Sequence, residues 1–152
     1  MTQHFLTLRP DMTIREAVQV FRQASELTGR PVFGLMVTDY REQLVGMLSM
    51  YDIFLLLRPK HIHIWGEMTD LDLSGMLAQA CQQAGRTLVG DIMTTDVITI
   101  GPETHLLYII DIMLKKHVRR IPVLDQGRIL GIVYISRVFA HLLEAFQEIG
   151  ES

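Results

Sequence analysis

The chain has 152 residues, a formal charge of −3 and a 49% hydrophobic content, enough apolar material for a folded core. That length suits one ordinary domain, or two very small ones that share a core. The near-balanced charge gives no footprint for DNA or RNA, and no apolar run approaches the ~20 residues that cross a bilayer. The N-terminus, MTQHFLTLRP, lacks the charged-then-apolar pattern of a signal peptide. A single cysteine, Cys81, excludes an intrachain disulfide framework, and its helix-like Ala/Gln surroundings suit ordinary packing. The expectation is a cytoplasmic protein without a membrane span.

In chain order, LTLRP (6–10) reads as a short alternating strand closed by a proline. Thr13 and Glu16 then fit a capping box, and Ile14, Ala17, Val18 and Phe21 recur on one helical face. Two strand-like runs and a turn follow, ending in GMLSMYD (46–52), which leads into the helix-like IFLLLRP, where Pro59 is a stop. Residues 60–88 form an insert, with KHIHIWGEMTD and then the helix-like LSGMLAQACQQAG.

After the insert the order repeats. ITIGPETHLLYII (98–110) parallels LTLRPDMTIREAV (6–18), with Leu106, Ile109, Ile110 and Met113 as the apolar stripe. Lys115, Lys116 and His117 suit the C-terminal end of that helix. RIPVLD and RILGIV read as strands joined at Asp125-Gln126-Gly127, a hairpin turn in which glycine supplies a positive φ. The last helix offers Val138, Leu142, Ala145 and Phe139, Leu143, Phe146 as a broad face expected to be buried. Pro10 and Pro102 are 92 residues apart while Gly46 and Gly131 are 85 apart, so the first copy is seven residues longer. GRPVFG and TDYREQ are the expected places for the excess. Each copy thus reads strand, helix, strand, turn, strand, helix, with too much apolar surface to stand alone. The two are expected to pack sheet to sheet about a pseudo-twofold axis.

VGDIMTTDVITIGPE followed by HVRRIPVLDQGRILGIV resembles a CBS domain, one half of the tandem pair called a Bateman module. The first copy is similar more loosely: its lead-in is missing, and Leu35 is read at the place of the proline in Ile-Pro-Val. The resemblance implies an α/β (α+β) fold of two βαββα repeats, with repeat 1 at 1–59, the insert at 60–88 and repeat 2 at 89–150. It also implies clefts where adenosine-containing ligands bind, a regulatory and non-catalytic role, and in many members a homodimer.

Gly46-Met47-Leu48-Ser49-Met50-Tyr51-Asp52 fits the family's nucleotide signature at every position. A ribose presents two adjacent hydroxyls, and a carboxylate at a helix start can accept from both. The same helix end offers free N–H groups and a positive dipole end, and Ser49 can cap it or touch ribose or phosphate. By the resemblance, Met47, Val97 and Ile98 line an adenine slot. Arg119, Arg120 and Arg137 are candidates for the phosphates, for which the guanidinium fork is suited. In the second copy Tyr134 and Arg137 stand where Ser49 and Asp52 stand in the first, so a single working site is expected. The ligand would be AMP, ADP or ATP, with S-adenosylmethionine less favoured, and an effector protein would read its occupancy. The rival reading is a ligand-free interaction and dimerisation scaffold, favoured by Tyr134 and Arg137. The discriminating feature is whether Asp52 faces an open cleft or serves as a helix cap.

Other chemistry is thin in the sequence. His61 and His63, with Glu67 and Asp70 near, make a weak metal pattern without a third fixed ligand. Trp65 suits a partner contact. There is no nucleophile elbow and no P-loop, so an enzyme is not expected.

Overall fold

A computed structural model describes residues 5–58 and 70–150, and the side chains of all of these except 70–74 and 150. His61, His63, Trp65, Glu67 and the Pro59 stop therefore lie outside the described residues, as does the Asp70 side chain. The chain folds as two compact units: Leu6–Val97, and the part from Ile98 onward together with Phe5.

The first unit opens with β1 (Thr7–Leu8) and α1 (Ile14–Thr28). Thr13 is the N-cap of α1, and both halves of the capping box with Glu16 are formed. Ile14, Ala17 and Ala24 are buried, and Val18 and Phe21 pack against the same core, as the periodicity predicts. Gly29 ends the helix in the left-handed region at φ 71°. Next come β2 (Gly34–Thr38) and β3 (Leu44–Ser49), antiparallel to each other, with β1 parallel to β2. The helix α2 (Met50–Leu57) follows without a gap. It stops just ahead of Arg58, whose extended backbone (φ −66°, ψ 123°) is what a residue before proline prefers.

The insert contributes α3 (Asp70–Ala84), and the lead-in to the second copy contributes the single turn α4 (Val89–Ile92). This lead-in packs with the first unit. Val89 is fully buried in the core of Leu8, Leu35, Val37 and Leu48, and Ile92 and Met93 lie against it. The backbone is tied down as well: Val89 N donates to Met12 O (2.8 Å) and Gly90 N to Pro10 O (2.9 Å). As sequence the lead-in opens the second copy; as packing it completes the first.

The second unit has α5 (Leu106–Lys116), the hairpin β4 (Arg120–Asp125) and β5 (Arg128–Tyr134), and α6 (Ile135–Gly150). Ile109 and Met113 are buried, and Leu106 and Ile110 pack beside them. His117 caps α5 in the left-handed region, following Lys115 and Lys116 in the last turn. Gln126 (φ 53°) and Gly127 (φ 83°) make the tight turn expected at Asp125-Gln126-Gly127.

Four expectations need correction. The first strand of the second copy shrinks to one parallel bridge, Ile100 with Val123, held by Ile100 N to Pro122 O (3.1 Å) and Leu124 N to Ile100 O (2.8 Å). It keeps the topological place that β1 has in the first copy. The proline position is Met36, not Leu35: Gly46 pairs with Val37 and Gly131 with Val123, which aligns Met36 with Pro122 and Leu35 with Ile121. Of the seven extra residues of copy one, four fall in α1, of 15 residues against 11 in α5, where neither expected place lies; two fall in the exit loop at GRPVFG and one in the hairpin at TDYREQ. Last, the broad face of α6 is mostly uncovered. Val138 is buried and Leu142 half-buried, but Phe139, Leu143 and Phe146 are 61%, 54% and 73% exposed and Ala145 is exposed. A small hairpin has too little apolar area to cover a helix on all its apolar sides.

Candidate functional site

The junction of β3 and α2 is built by GMLSMYD. β3 ends at Ser49, which is the N-cap of α2 with extended backbone (φ −109°, ψ 165°). Asp52 is the third residue of the helix, so its carboxylate turns back over the first turn. Ser49 N donates to Asp52 Oδ2 at 2.9 Å and Ser49 Oγ donates to the same oxygen at 3.2 Å. In return Asp52 N donates to Ser49 Oγ at 3.3 Å. This is a complete capping box with Asp in the place of the usual Glu or Gln. The carboxylate also sits where the helix dipole favours an anion.

Asp52 therefore caps its helix, and it still has capacity left. A carboxylate has about four lone-pair sites on two oxygens. Among the described residues Oδ2 takes both Ser49 donors, whereas Oδ1 accepts only from Thr94 Oγ1, at 3.3 Å; the same hydroxyl lies 3.4 Å from Oδ2. Asp52 is half-buried and Thr94 is exposed. Thr94, within VGDIMTTDVITIGPE, has no role predicted from the sequence; in the fold its hydroxyl rests on the Asp52 carboxylate.

Gly46 explains how Thr94 arrives there. Met47 N donates to Thr94 O (2.9 Å) and Thr94 N to Met47 O (2.8 Å), an isolated antiparallel bridge between β3 and the lead-in. A Cβ on Gly46 would stand 2.7 Å from Met93 Sδ and 2.9 Å from Thr94 O. Only a glycine lets the lead-in lie this close to the strand. A glycine in a strand interior was thus the sequence signal for a second backbone, though not for which one. Met47 is half-buried beside this bridge, and Val97 is half-buried at the end of the same unit. Two open grooves of the first unit, one of about 450 Å³ along Ile14, Val18, Ile53, Leu57 and Cys81, are lined by neither Ser49, Asp52 nor Thr94.

In the second unit Ile98 packs against the core of Ile121, Val123 and Val138. Arg119 is exposed, and its carbonyl accepts from Ile135 N at 2.8 Å. Arg120 is half-buried and pairs across the hairpin with Tyr134. Burial pushes its guanidinium below the ordinary arginine value; Tyr134 partly offsets this and Arg119 adds to it. Arg137 is exposed and holds the helix position in α6 that Asp52 holds in α2. A cation there opposes the dipole and cannot accept from a hydroxyl. The β5–α6 junction therefore repeats the strand-to-helix order of the first site without its carboxylate.

Among the described residues no cluster of three or more metal-ligating side chains occurs, and no helix is long and apolar enough to cross a membrane.

The match to known families follows the same two copies. The CBS domain matches at residues 1–58 and again at 89–144. The chain belongs to the CBS domain family. It is a tandem CBS pair with a mixed helix and strand fold. It is 25% identical over 133 residues to the CBS domain-containing protein YhcV of Bacillus subtilis, covering 88% of this chain and 75% of that protein. Among solved structures it resembles the CBS-pair protein CBSX2 from Arabidopsis thaliana, at 25% identity and a TM-score of 0.71, covering 97% of this chain and 93% of that one. CBSX2 has also been solved in complex with AMP; that structure superposes with a TM-score of 0.67 at 25% identity, over 93% of this chain and 90% of that one.

Proposed function

We propose that this CBS pair is a regulatory module that binds one adenine nucleotide, AMP, ADP or ATP, and is itself no catalyst. The observation that carries the reading is the Ser49–Asp52 cap, whose Oδ1 is left, among the described residues, to a single exposed hydroxyl. A carboxylate with free acceptor capacity suits the hydroxyls of a ribose, and the helix start beside it suits a phosphate. The AMP complex of CBSX2 supports this choice of ligand. We assign Asp52 and Ser49 to the ribose, Gly46 to the narrow strand end, and Met47, Val97 and Ile98 to the adenine. Arg119, Arg120 and Arg137 are assigned to the phosphates. Arg120 is the favoured member, because a desolvated guanidinium gains most from an anion. The module acts in the cytoplasm, and a separate effector protein reads its occupancy.

A second reading, an interaction scaffold that pairs with a second copy, is favoured by the uncovered face of α6. Phe139, Leu143 and Phe146 follow one another down one side of that helix and are all more than half exposed. The two readings are compatible, because occupancy can bias how a homodimer packs.

The test is titration calorimetry of protein stripped of carried-over ligand, with AMP, ADP, ATP and S-adenosylmethionine. Asp52→Ala and Asp52→Asn are run beside it, each checked for retained fold by circular dichroism. Saturation near one ligand per chain, lost in both variants, is expected. No heat with any ligand, and no change in melting temperature, overturns the nucleotide reading and leaves the scaffold.

A further inference from the structure

We propose that Thr94 is a built-in competitor of the ribose, so that ligand must displace its hydroxyl from Asp52 and the affinity of the sensor is set by that exchange. The inference rests on the nucleotide reading and adds a regulatory part to the same site.

The geometry is specific. Thr94 Oγ1 lies 3.3 Å from Asp52 Oδ1 and 3.4 Å from Oδ2, almost equidistant from the two oxygens. A ribose diol that donates to this carboxylate enters across the same mouth. Oδ2 is already committed to Ser49 N at 2.9 Å and Ser49 Oγ at 3.2 Å, so the acceptor capacity that a diol needs is the capacity Thr94 holds. The threonine hydroxyl stands in for a ribose hydroxyl while no ligand is bound.

Thr94 cannot withdraw as a whole. Its N–H and C=O are both bonded to Met47, at 2.8 and 2.9 Å, and the preceding Met93 is packed onto Gly46. What is left is rotation about χ1, between the staggered positions open to a β-branched residue. Thr94 is exposed, so a rotated hydroxyl finds water and the cost of release stays small. The contacts are long and open to solvent, which puts the hydroxyl's hold on the carboxylate at the weak end for a charged acceptor. A change in affinity of about two- to fivefold follows.

The experiment uses the full chain as wild type, Thr94→Val and Thr94→Ser, titrated with AMP and with 2′,3′-dideoxy-AMP. Valine keeps the branched shape and the backbone bridge and removes the hydroxyl; serine keeps the hydroxyl. Thr94→Val is expected to bind AMP two- to fivefold more tightly, with Thr94→Ser close to wild type. The gain should vanish with the dideoxy ligand, which has no diol to claim Asp52. If wild type binds AMP and Thr94→Val binds it equally or more weakly, Thr94 is a bystander or a ligand contact. The competitor is then refuted while the nucleotide reading stands. A gain of the same size with the dideoxy ligand likewise refutes it, because the methyl would be acting by packing. If no form binds either ligand and all three keep their fold, the nucleotide reading falls and the competitor with it.

Discussion

Gly46→Ala is the substitution from which the structure forecasts most. The added methyl would stand 2.7 Å from Met93 Sδ and 2.9 Å from Thr94 O, both below any ordinary contact. The methionine sulfur can move, being the middle of a flexible side chain. The carbonyl cannot move alone, because it accepts from Met47 N at 2.9 Å while Thr94 N donates to Met47 O. The lead-in must then back away from β3, losing both bonds of the bridge, or the strand must bend. Overpacking of this kind costs about 1–3 kcal/mol, and the partly solvated bridge adds at most a similar amount. With a urea slope of about 2 kcal/mol per molar, the combined cost of about 1–6 kcal/mol should lower the midpoint by roughly 0.5–3 M with little change in slope. Amide exchange supplies the local test: the protection of Met47 and Thr94 should drop more than that of Ile121 or Val123 in the other core. Gly101→Ala is the control, since a Cβ there meets nothing within 4 Å. An unchanged urea midpoint for Gly46→Ala, with Met47 and Thr94 protected as in wild type, would refute the account of Gly46 as the residue that admits the lead-in.

Three further outcomes are expected. Val89→Ala, at a fully buried position of the first core, should lower stability by about 2 kcal/mol in a denaturant titration, although in sequence it opens the second copy. Arg120→Met, which removes a desolvated cation and keeps most of its stem, should leave the melting temperature unchanged or raise it. If Arg120 holds a phosphate, calorimetry of the same variant should show ATP binding weakened by about tenfold or more. Phe139→Glu with Phe146→Glu should lower the mass measured by light scattering from dimer to monomer and leave the circular dichroism spectrum unchanged. A wild type that is already monomeric at high concentration would refute pairing through α6.

Much of the molecule was written into short stretches of the chain. Caps, turns and stripes depend on neighbours within a few residues. So the Thr13–Glu16 box, the Gln126–Gly127 turn and the buried faces of α1 and α5 could all be read from residue types at fixed spacing. The Ser49–Asp52 pair belongs to the same class: its spacing of three is a helical turn, which allowed both a cap and a ligand site to be inferred from it. Reading the repeat supplied the order of elements in both copies.

What the sequence left undetermined was which distant segments meet. It marked Gly46 as special, but nothing near Gly46 in the chain says that Met93 and Thr94 will lie on it. Nor does the motif around Asp52 reveal a hydroxyl 42 positions away resting on its carboxylate. The same limit applies to the lead-in, which looks like the start of one copy and is buried as part of the other. It applies also to α6, whose apolar face is plain in the sequence while its cover is not. Local chemistry is set by bonded neighbours and helical or strand periods; closeness between remote residues is a property of the packed chain. That is why the cap was legible from the sequence and its competitor had to be found in the fold.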